Sequence, residues 1–365
     1  MRPSLQEVLQ GLEAEGLLAS EAMPRARAVM EVHQRNSTAT PWFVKALAGL
    51  GAWVAALFLV GLFTCIGIVD NEGAMMGIGL VFCIGATALR AFTSGVFLEQ
   101  LTMAVCLAGV VMLIGGIAAA GPRELEVAAG SAVVVGTVLL VLFPDTIMRF
   151  LMTVMVATAL QVLLYQLVGG PGMTLAAIAE AVLLHVLYLG QPHMGDGRHT
   201  HLVSPVVFAL TVCLPLHLTL RLWSGAWLTV LELPDAPAVL YTLCLTALTL
   251  FTAWKAMKAQ GLEPSGVEGA AIFAALTLLA LLTLDMPAVV AATGLLILGF
   301  HRRSNLMLGV AVAFLLVAGS LYYYDLSLTL LAKALALVGS GLVFLGLHQL
   351  FIRRGLPGMS TTEAR

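Results

Sequence analysis

Four polar side chains stand in segments that are otherwise apolar enough for the interior of a membrane. Glu180 lies in TLAAIAEAVLLHVLYL and Lys333 in SLTLLAKALALVGSGL, while Gln161 and His217 lie in the similar segments TALQVLLY and CLPLHLTL. A charge at the centre of a spanning helix costs about 2.5–3.5 kcal/mol on insertion scales, and such charges mark functional pathways or pair with one another. These residues are therefore the first candidates for chemistry.

The positions of these residues along their predicted helices place them in one layer. At a rise of about 1.5 Å per residue, Glu180 and Lys333 each lie about 9 Å from the outer start of their spans. On the same scale Gln161 lies about 10 Å deep and His217 about 6 Å deep. Tyr165 shares a helix face with Gln161, because i and i+4 residues are neighbours on a helix. The sequence thus predicts a polar site in the outer half of the bilayer.

The opposite charges of Glu180 and Lys333 favour a buried pair or a shared polar cavity. A functional pair would line a pathway, with Glu180 taking up and releasing a proton and Lys333 favouring its ionised form. A structural pair would instead hold two helices in register. Lys333 has a further alternative, since its stem can carry the ammonium group towards Asp325 and the headgroups. His185 could extend a relay, although it lies about 140° round the helix from Glu180, which argues against one tight site.

Other constellations that carry chemistry do not occur in the sequence. It holds no GxSxG motif, no HExxH motif and no phosphate-binding loop, so we expect neither hydrolase nor ATPase chemistry within this chain. The loop segment PHMGDGRHTH is rich in histidine, but its spacing matches no metal site. All 5 cysteines fall within predicted spans, as expected of small packing residues. We predict no enzyme activity, no metal and no cofactor.

Composition defines the elements that must position these residues. Of the 365 residues, 60% are hydrophobic and 10% are charged, and the mean hydropathy is +1.00. The charged residues separate apolar runs about as long as a helix needs to cross about 30 Å of hydrocarbon. Because no water is available there to bind backbone groups, helices are the structure that fits such runs. The sequence predicts an all-α, polytopic helical membrane protein.

The apolar runs predict about twelve transmembrane helices. Residues 286–300 are the least certain of these, because the run is short and follows its predecessor directly, so a half-helix or a re-entrant segment is an alternative there. The predicted spans are 42–69, 74–91, 100–120, 125–143, 147–168, 174–190, 202–221, 237–256, 268–284, 286–300, 304–321 and 327–350.

The distribution of Lys and Arg predicts the orientation. With the N-terminus in the cytoplasm, 15 of the 18 Lys and Arg residues fall on the cytoplasmic side, Arg123 and Arg221 fall outside, and Lys333 is intramembrane. This is the bias that the positive-inside rule describes. We therefore expect both termini in the cytoplasm and a location in the bacterial inner membrane. The lack of a basic tract excludes nucleic acid as an expected partner, leaving the lipid bilayer.

The chain divides into three predicted regions. Residues 1–40 form a cytoplasmic or interfacial amphipathic helical prelude, residues 41–352 form the transmembrane bundle, and residues 353–365 form a cytoplasmic tail. Pairs of small residues four positions apart, such as Gly79 with Cys83 and Gly309 with Ala313, suit close helix packing.

Two segments resemble a known group of proteins. The opening LEAEGLLASEAMPRARAVM, followed by a span that carries tryptophan, resembles bacterial inner-membrane proteins grouped as a domain of unknown function. The tail YYYDLSLTLLAKALALVGSGLVFLGL is similar to the end of a related family, whose genes often lie beside one for a small membrane-anchored protein with a GDYxxLxY motif. The chain has no such motif itself, so the resemblance implies a partner in another chain. It implies no catalytic residues.

Three functions are compatible with these observations. The first is a transporter-like or permease-like protein with its site at Glu180, Lys333, Gln161, His217 and Tyr165. The second is a non-catalytic subunit of an envelope complex that holds the GDYxxLxY-type partner. The third is an intramembrane enzyme, which we disfavour because the sequence lacks a nucleophile or metal constellation.

Overall fold

The computed structural model describes residues 42–67, 71–92, 95–190, 200–227, 238–284 and 286–325, together with Val338 and Leu345. Within these residues the chain forms α-helices joined by short turns, and no β-strand occurs there. The helices are α1 (Trp42–Cys65), α2 (Glu72–Phe92), α3 (Val96–Ala119), α4 (Glu124–Leu142), α5 (Thr146–Val168), α6 (Gly170–Gly190), α7 (Thr200–Trp227), α8 (Ala238–Ala259), α9 (Val267–Leu282), α10 (Pro287–His301) and α11 (Asn305–Asp325).

The order of the described helices along the chain follows the order of the predicted spans. Each of the spans predicted between residues 42 and 321 contains one helix. The predicted prelude 1–40, the last span 327–350 apart from two residues, and the tail 353–365 lie outside the described residues. Several boundaries were wrong by four residues or more: α1 ends at Cys65 rather than at residue 69, α3 begins at Val96 rather than at residue 100, and α11 ends at Asp325 rather than at residue 321. In the same way, α6 begins at Gly170 rather than at residue 174, and α7 continues to Trp227 rather than ending at residue 221.

The chain divides into two compact units, Met1–Ala120 and Gly121–Arg365. In the first unit α3 packs against both α1 and α2. Gly79 of α2 and Gly109 of α3 bring the two backbones together, because a Cβ on Gly79 would lie only 2.8 Å from the carbonyl oxygen of Gly109. Cys83 lies one turn further along, with its thiol 3.8 Å from the carbonyl oxygen of Cys106. The predicted packing role of Gly79 and Cys83 is confirmed.

In the second unit α10 is the helix most surrounded by protein. Ten of its 15 residues are buried, and it packs against α7, α8, α9 and α11. This burial explains why its sequence is apolar on all faces. Its 15 residues rise about 22 Å, less than the about 30 Å of a hydrocarbon core. Among the described residues no atom lies within 4 Å of a Cβ added to Gly309 of the neighbouring α11, so the packing role of this glycine stays a prediction.

The outer surfaces of both units are strongly apolar. In the first unit Phe58 and Leu57 are 74% and 68% exposed, and in the second unit Leu316 and Leu282 are 67% and 66% exposed. Large apolar side chains on so many helix faces require an apolar solvent rather than water. Among the described helices, seven are long and apolar enough to cross a membrane, and four more contain shorter apolar segments. The long ones are α2 to α8.

Candidate functional site

The site is built on a tight hairpin of α5 and α6 in the second unit. Asp145 begins α5 as its N-cap, and its carboxylate accepts hydrogen bonds from the amides of Ile147 and Met148 at 2.8 and 3.1 Å. Gly169 is the only residue between α5 and α6, and its φ of 79° is a conformation that glycine adopts without strain. Pro171 stands in the first turn of α6, where proline is favoured because no amide is needed there.

The early start of α6 changes the position of Glu180. Gly170 and Pro171 belong to the helix, although their sequence has the composition of a turn, so Glu180 lies ten residues from each end of α6. At about 1.5 Å per residue this is about 15 Å from either end. The prediction of about 9 Å from the nearer end was therefore too shallow. Glu180 lies at the middle of its helix.

Glu180 is the centre of a buried hydrogen-bonded group that joins three helices. Its Oε2 atom lies 2.8 Å from Nδ1 of His217 on α7 and 3.5 Å from Nε2 of Gln161 on α5. The other nitrogen of the His217 ring, Nε2, lies 3.2 Å from the hydroxyl of Thr158 on α5. The side chains of Glu180 and His217 are only 5% and 9% exposed. We call Thr158, Gln161, Glu180 and His217 the Glu180 cluster.

The amide of Gln161 binds α6 in either of its two orientations. In one, Nε2 donates to Glu180 across a long 3.5 Å contact. In the other, it donates to the carbonyl of Met173 at 3.0 Å while its oxygen accepts from the amide of Ala177 at 3.3 Å. A turn of the amide therefore releases Glu180 without leaving Gln161 unsatisfied, which leaves His217 as the constant partner of the carboxylate.

The Glu180 and His217 pair can gain a proton without losing a hydrogen bond. An ionised carboxylate only accepts, so His217 then carries hydrogen on Nδ1. A neutral ring accepts from Thr158 through Nε2, whereas a doubly protonated ring donates to Thr158. If the proton moves to Glu180, the carboxyl group donates to a bare Nδ1. The same geometry therefore serves both an ionised and a neutral site.

One atom of the cluster has no partner among the described residues. Glu180 Oε1 is buried there without a hydrogen bond. Lys333, the partner predicted from the sequence, lies outside the described residues. Tyr165 lies half-buried one turn from Gln161, and its carbonyl accepts the amide of Gly169 at 2.7 Å. Asp325 is the last residue of α11.

His185 belongs to different surroundings from Glu180, as its position round the helix predicts. It is 4% exposed, and its Nδ1 donates to the carbonyl of Ala181 at 2.7 Å. Its Nε2 lies near α8 and α10, since a Cβ added to Gly294 would be 3.9 Å from this nitrogen and 2.7 Å from the hydroxyl of Thr249. Nε2 itself has no hydrogen-bond partner in the described part of the chain. His185 is therefore a second buried polar position on α6.

The sequence identified Glu180, Gln161 and His217 as candidates but missed Thr158. The available signal was its spacing, because Thr158 precedes Gln161 by three residues and so lies on the same helix face. In the described residues no group of three or more His, Cys, Asp or Glu side chains could hold a metal ion. The cluster can hold and pass a proton, or accept a polar or cationic group at the free carboxylate oxygen.

Fold and site together define a class, a multi-pass helical membrane protein with an ionisable pair buried among its helices. The chain belongs to a family described as a domain of unknown function, DUF4401, whose model matches residues 41–354. This match includes all the described helices and confirms the resemblance to a domain of unknown function. No curated protein and no solved structure matches the chain.

Proposed function

We propose that this protein is a permease-like transporter in which Glu180 and His217 bind and release a proton that is coupled to the movement of a solute. The observation that carries this proposal is the 2.8 Å contact between two buried ionisable groups, Glu180 at the middle of α6 and His217 on α7. Such a pair is costly in hydrocarbon and is typical of proton relays in transporters.

The surroundings of the pair support proton transfer rather than a static contact. The chain of hydrogen bonds from Glu180 runs through both nitrogens of His217 to the hydroxyl of Thr158, so a proton that reaches the pair can be shared along it. At the other end, Glu180 Oε1 is free among the described residues to accept a proton or a cationic solute. On the sequence prediction alone, we also propose Lys333 as a residue of this site.

The proposal includes an orientation and a location. The charge bias of the sequence places both termini in the cytoplasm and about twelve spans in a bacterial inner membrane. In this orientation α5 and α7 begin at the cytoplasmic side and α6 begins at the outer side. We further propose that the chain itself is not an enzyme, since its polar cluster contains neither a nucleophile nor a metal constellation.

Labelling with a hydrophobic carbodiimide tests whether Glu180 binds a proton inside the membrane. The reagent dicyclohexylcarbodiimide reacts with protonated carboxyl groups in apolar surroundings. We expect one label per chain by intact mass. The variant Glu180→Gln should lose this label, whereas Glu126→Gln, in the first turn of α4, should retain it.

Proton flux tests the coupling itself. Liposomes that contain the protein and an internal pH-sensitive dye receive an acid pulse in the presence of pooled small solutes. We expect at least one pool to accelerate acidification for the wild type and none to do so for Glu180→Gln. Equal acidification by both proteins with every pool contradicts the transport proposal, and labelling that persists in Glu180→Gln contradicts the proton site.

A non-catalytic subunit of an envelope complex is the competing function. A subunit of this kind predicts different results in the experiments above, because the Glu180 cluster would then only hold helices together. Co-purification of a GDYxxLxY-type membrane protein, with identical proton flux in wild type and Glu180→Gln, would favour the subunit over the transporter.

A further inference from the structure

A second site lies in a groove of the second unit, where α5, α7 and α11 begin and α6 ends. The groove has a volume of about 510 Å³, and residues of all four helices line it. This volume is in the range of sites that hold small molecules or parts of lipids. The groove shares no lining residue with the Glu180 cluster, so its role is independent of the proposed transport function.

The deeper wall of the groove is apolar and aromatic. The rings of Phe150 on α5 and Phe208 on α7 lie 5.2 Å apart. Ile147 and Leu306, which also line the groove, are 51% and 59% exposed, so the groove is open to the apolar solvent that surrounds the helices. An acyl chain can therefore enter it sideways from the bilayer.

The end of the groove at the helix termini is polar and positively charged. Thr146 and Ser304 line it where α5 and α11 begin. The Asp145 carboxylate caps the first amides of α5 and the Ser304 hydroxyl caps an amide of α11, so the positive charge at this end comes from Arg302. Tyr188 lines it from the last turn of α6, and the guanidinium carbon of Arg302 lies 5.5 Å from the centre of its ring. In the part of the chain that the structure describes, the half-buried Arg302 side chain forms no ion pair.

We propose that this groove binds one anionic phospholipid of the surrounding membrane. Arg302 binds its phosphate group, the hydroxyls of Ser204 and Ser304 bind its polar headgroup, and the aromatic wall binds an acyl chain. A zwitterionic lipid would bring an ammonium group to the same positive surroundings, so the groove favours a net negative headgroup. The charge bias of the sequence places this lipid in the inner leaflet.

Native mass spectrometry of the full-length detergent-solubilised protein tests this inference. The probes are phosphatidylglycerol and phosphatidylcholine with identical acyl chains. We expect the wild type to retain one phosphatidylglycerol in preference to phosphatidylcholine. The variant Arg302→Gln should bind phosphatidylglycerol about fivefold more weakly, as expected for one Arg near an anionic lipid surface. Arg303→Gln is the matched control, because Arg303 is the adjacent, exposed arginine and the change in net charge is the same.

A second pair of variants tests the apolar part of the groove. Ser204→Phe fills the space beside Phe208 and should reduce binding of both lipids, whereas Leu216→Phe on the exposed face of the same helix should not. Arg302→Lys should retain most of the selectivity, which separates loss of charge from loss of folding. Equal binding of both lipids by the wild type, or equal effects of Arg302→Gln and Arg303→Gln, would overturn the inference.

Discussion

At the scale of single residues, His217 is the group on which the Glu180 cluster depends. Its ring contacts α6 through Nδ1 and α5 through Nε2, while its own backbone belongs to α7. No other side chain in the cluster contacts two other helices through well-formed hydrogen bonds, as the Gln161 contact with Glu180 is long. Removal of His217 therefore causes two losses at once: Glu180 loses its main partner, and the link between α5, α6 and α7 is broken.

We expect His217→Leu to destabilise the protein by about 3–5 kcal/mol, because it leaves Glu180 buried without its main partner. The double variant Glu180→Met with His217→Leu should recover most of this loss, since two apolar side chains need no partner. Thermal unfolding in detergent measures both. Leu216→Ala, a truncation of the exposed residue beside His217, is the control and should have a small effect.

The outcome of this cycle bears on function as well as stability. If the double variant is stable but takes up no carbodiimide label and supports no solute-dependent acidification, the pair is retained for proton binding. A double variant as unstable as the single one would show that the two side chains do not form an isolated pair.

Most of the residues of the site were predictable from the sequence. The contact between Glu180 and His217 was not. Glu180 and His217 are conspicuous because polar groups are costly in apolar segments. Their contact depends on the packing of α6 against α7, and the apolar pattern of these helices does not specify which neighbours they have. Thr158 escaped notice because a threonine in a spanning helix usually binds its own backbone, as Thr153 and Thr211 do here.

At the scale of helices, glycine decides how closely α2 and α3 approach. A Cβ on Gly79 would lie 2.5 Å from the backbone nitrogen of Leu113, an atom that cannot move aside without moving α3. Gly77, on the same helix, has open space around it. In the sequence both residues are simply glycines. They differ in the structure because Gly79 lies on the face of α2 that contacts α3 and Gly77 does not.

We expect Gly79→Val to destabilise the first unit by at least about 1–3 kcal/mol, because the added side chain overpacks a backbone contact. Gly77→Val is the matched control and should change stability by about 0.5 kcal/mol or less. The midpoint of thermal aggregation of the full-length protein in detergent reports both. Similar midpoints for the two variants would contradict the close backbone approach described here.

Helix boundaries show the same limit of sequence patterns. Apolar runs located the described helices because their length matches the thickness of a bilayer. The start of α6 was misplaced because GGPG has the composition of a turn, whereas only Gly169 forms the turn and Pro171 is accommodated in the first helical turn. The burial of α10 was also beyond the sequence, since a helix that is apolar all round can face either protein or lipid.

At the scale of the whole molecule, the proposed orientation makes a prediction about accessibility. In a Cys65→Ser background, the described cysteines that remain are buried or half-buried. We expect Arg123→Cys, at the proposed outer side, to react with a membrane-impermeant maleimide in intact cells. Gln260→Cys, after α8, should react only once the membrane is permeabilised. Reaction of both in intact cells would contradict the assignment of opposite sides.

Gly169 has a consequence for how the Glu180 cluster can open. A link of one residue leaves α5 and α6 no slack, so Gln161 and Glu180 move together as parts of a single frame. His217 stands on another helix, and its bond to Glu180 is the one that a displacement of α7 stretches first. We therefore expect a movement of α7 relative to the α5–α6 hairpin to open a route for water or solute to the carboxylate.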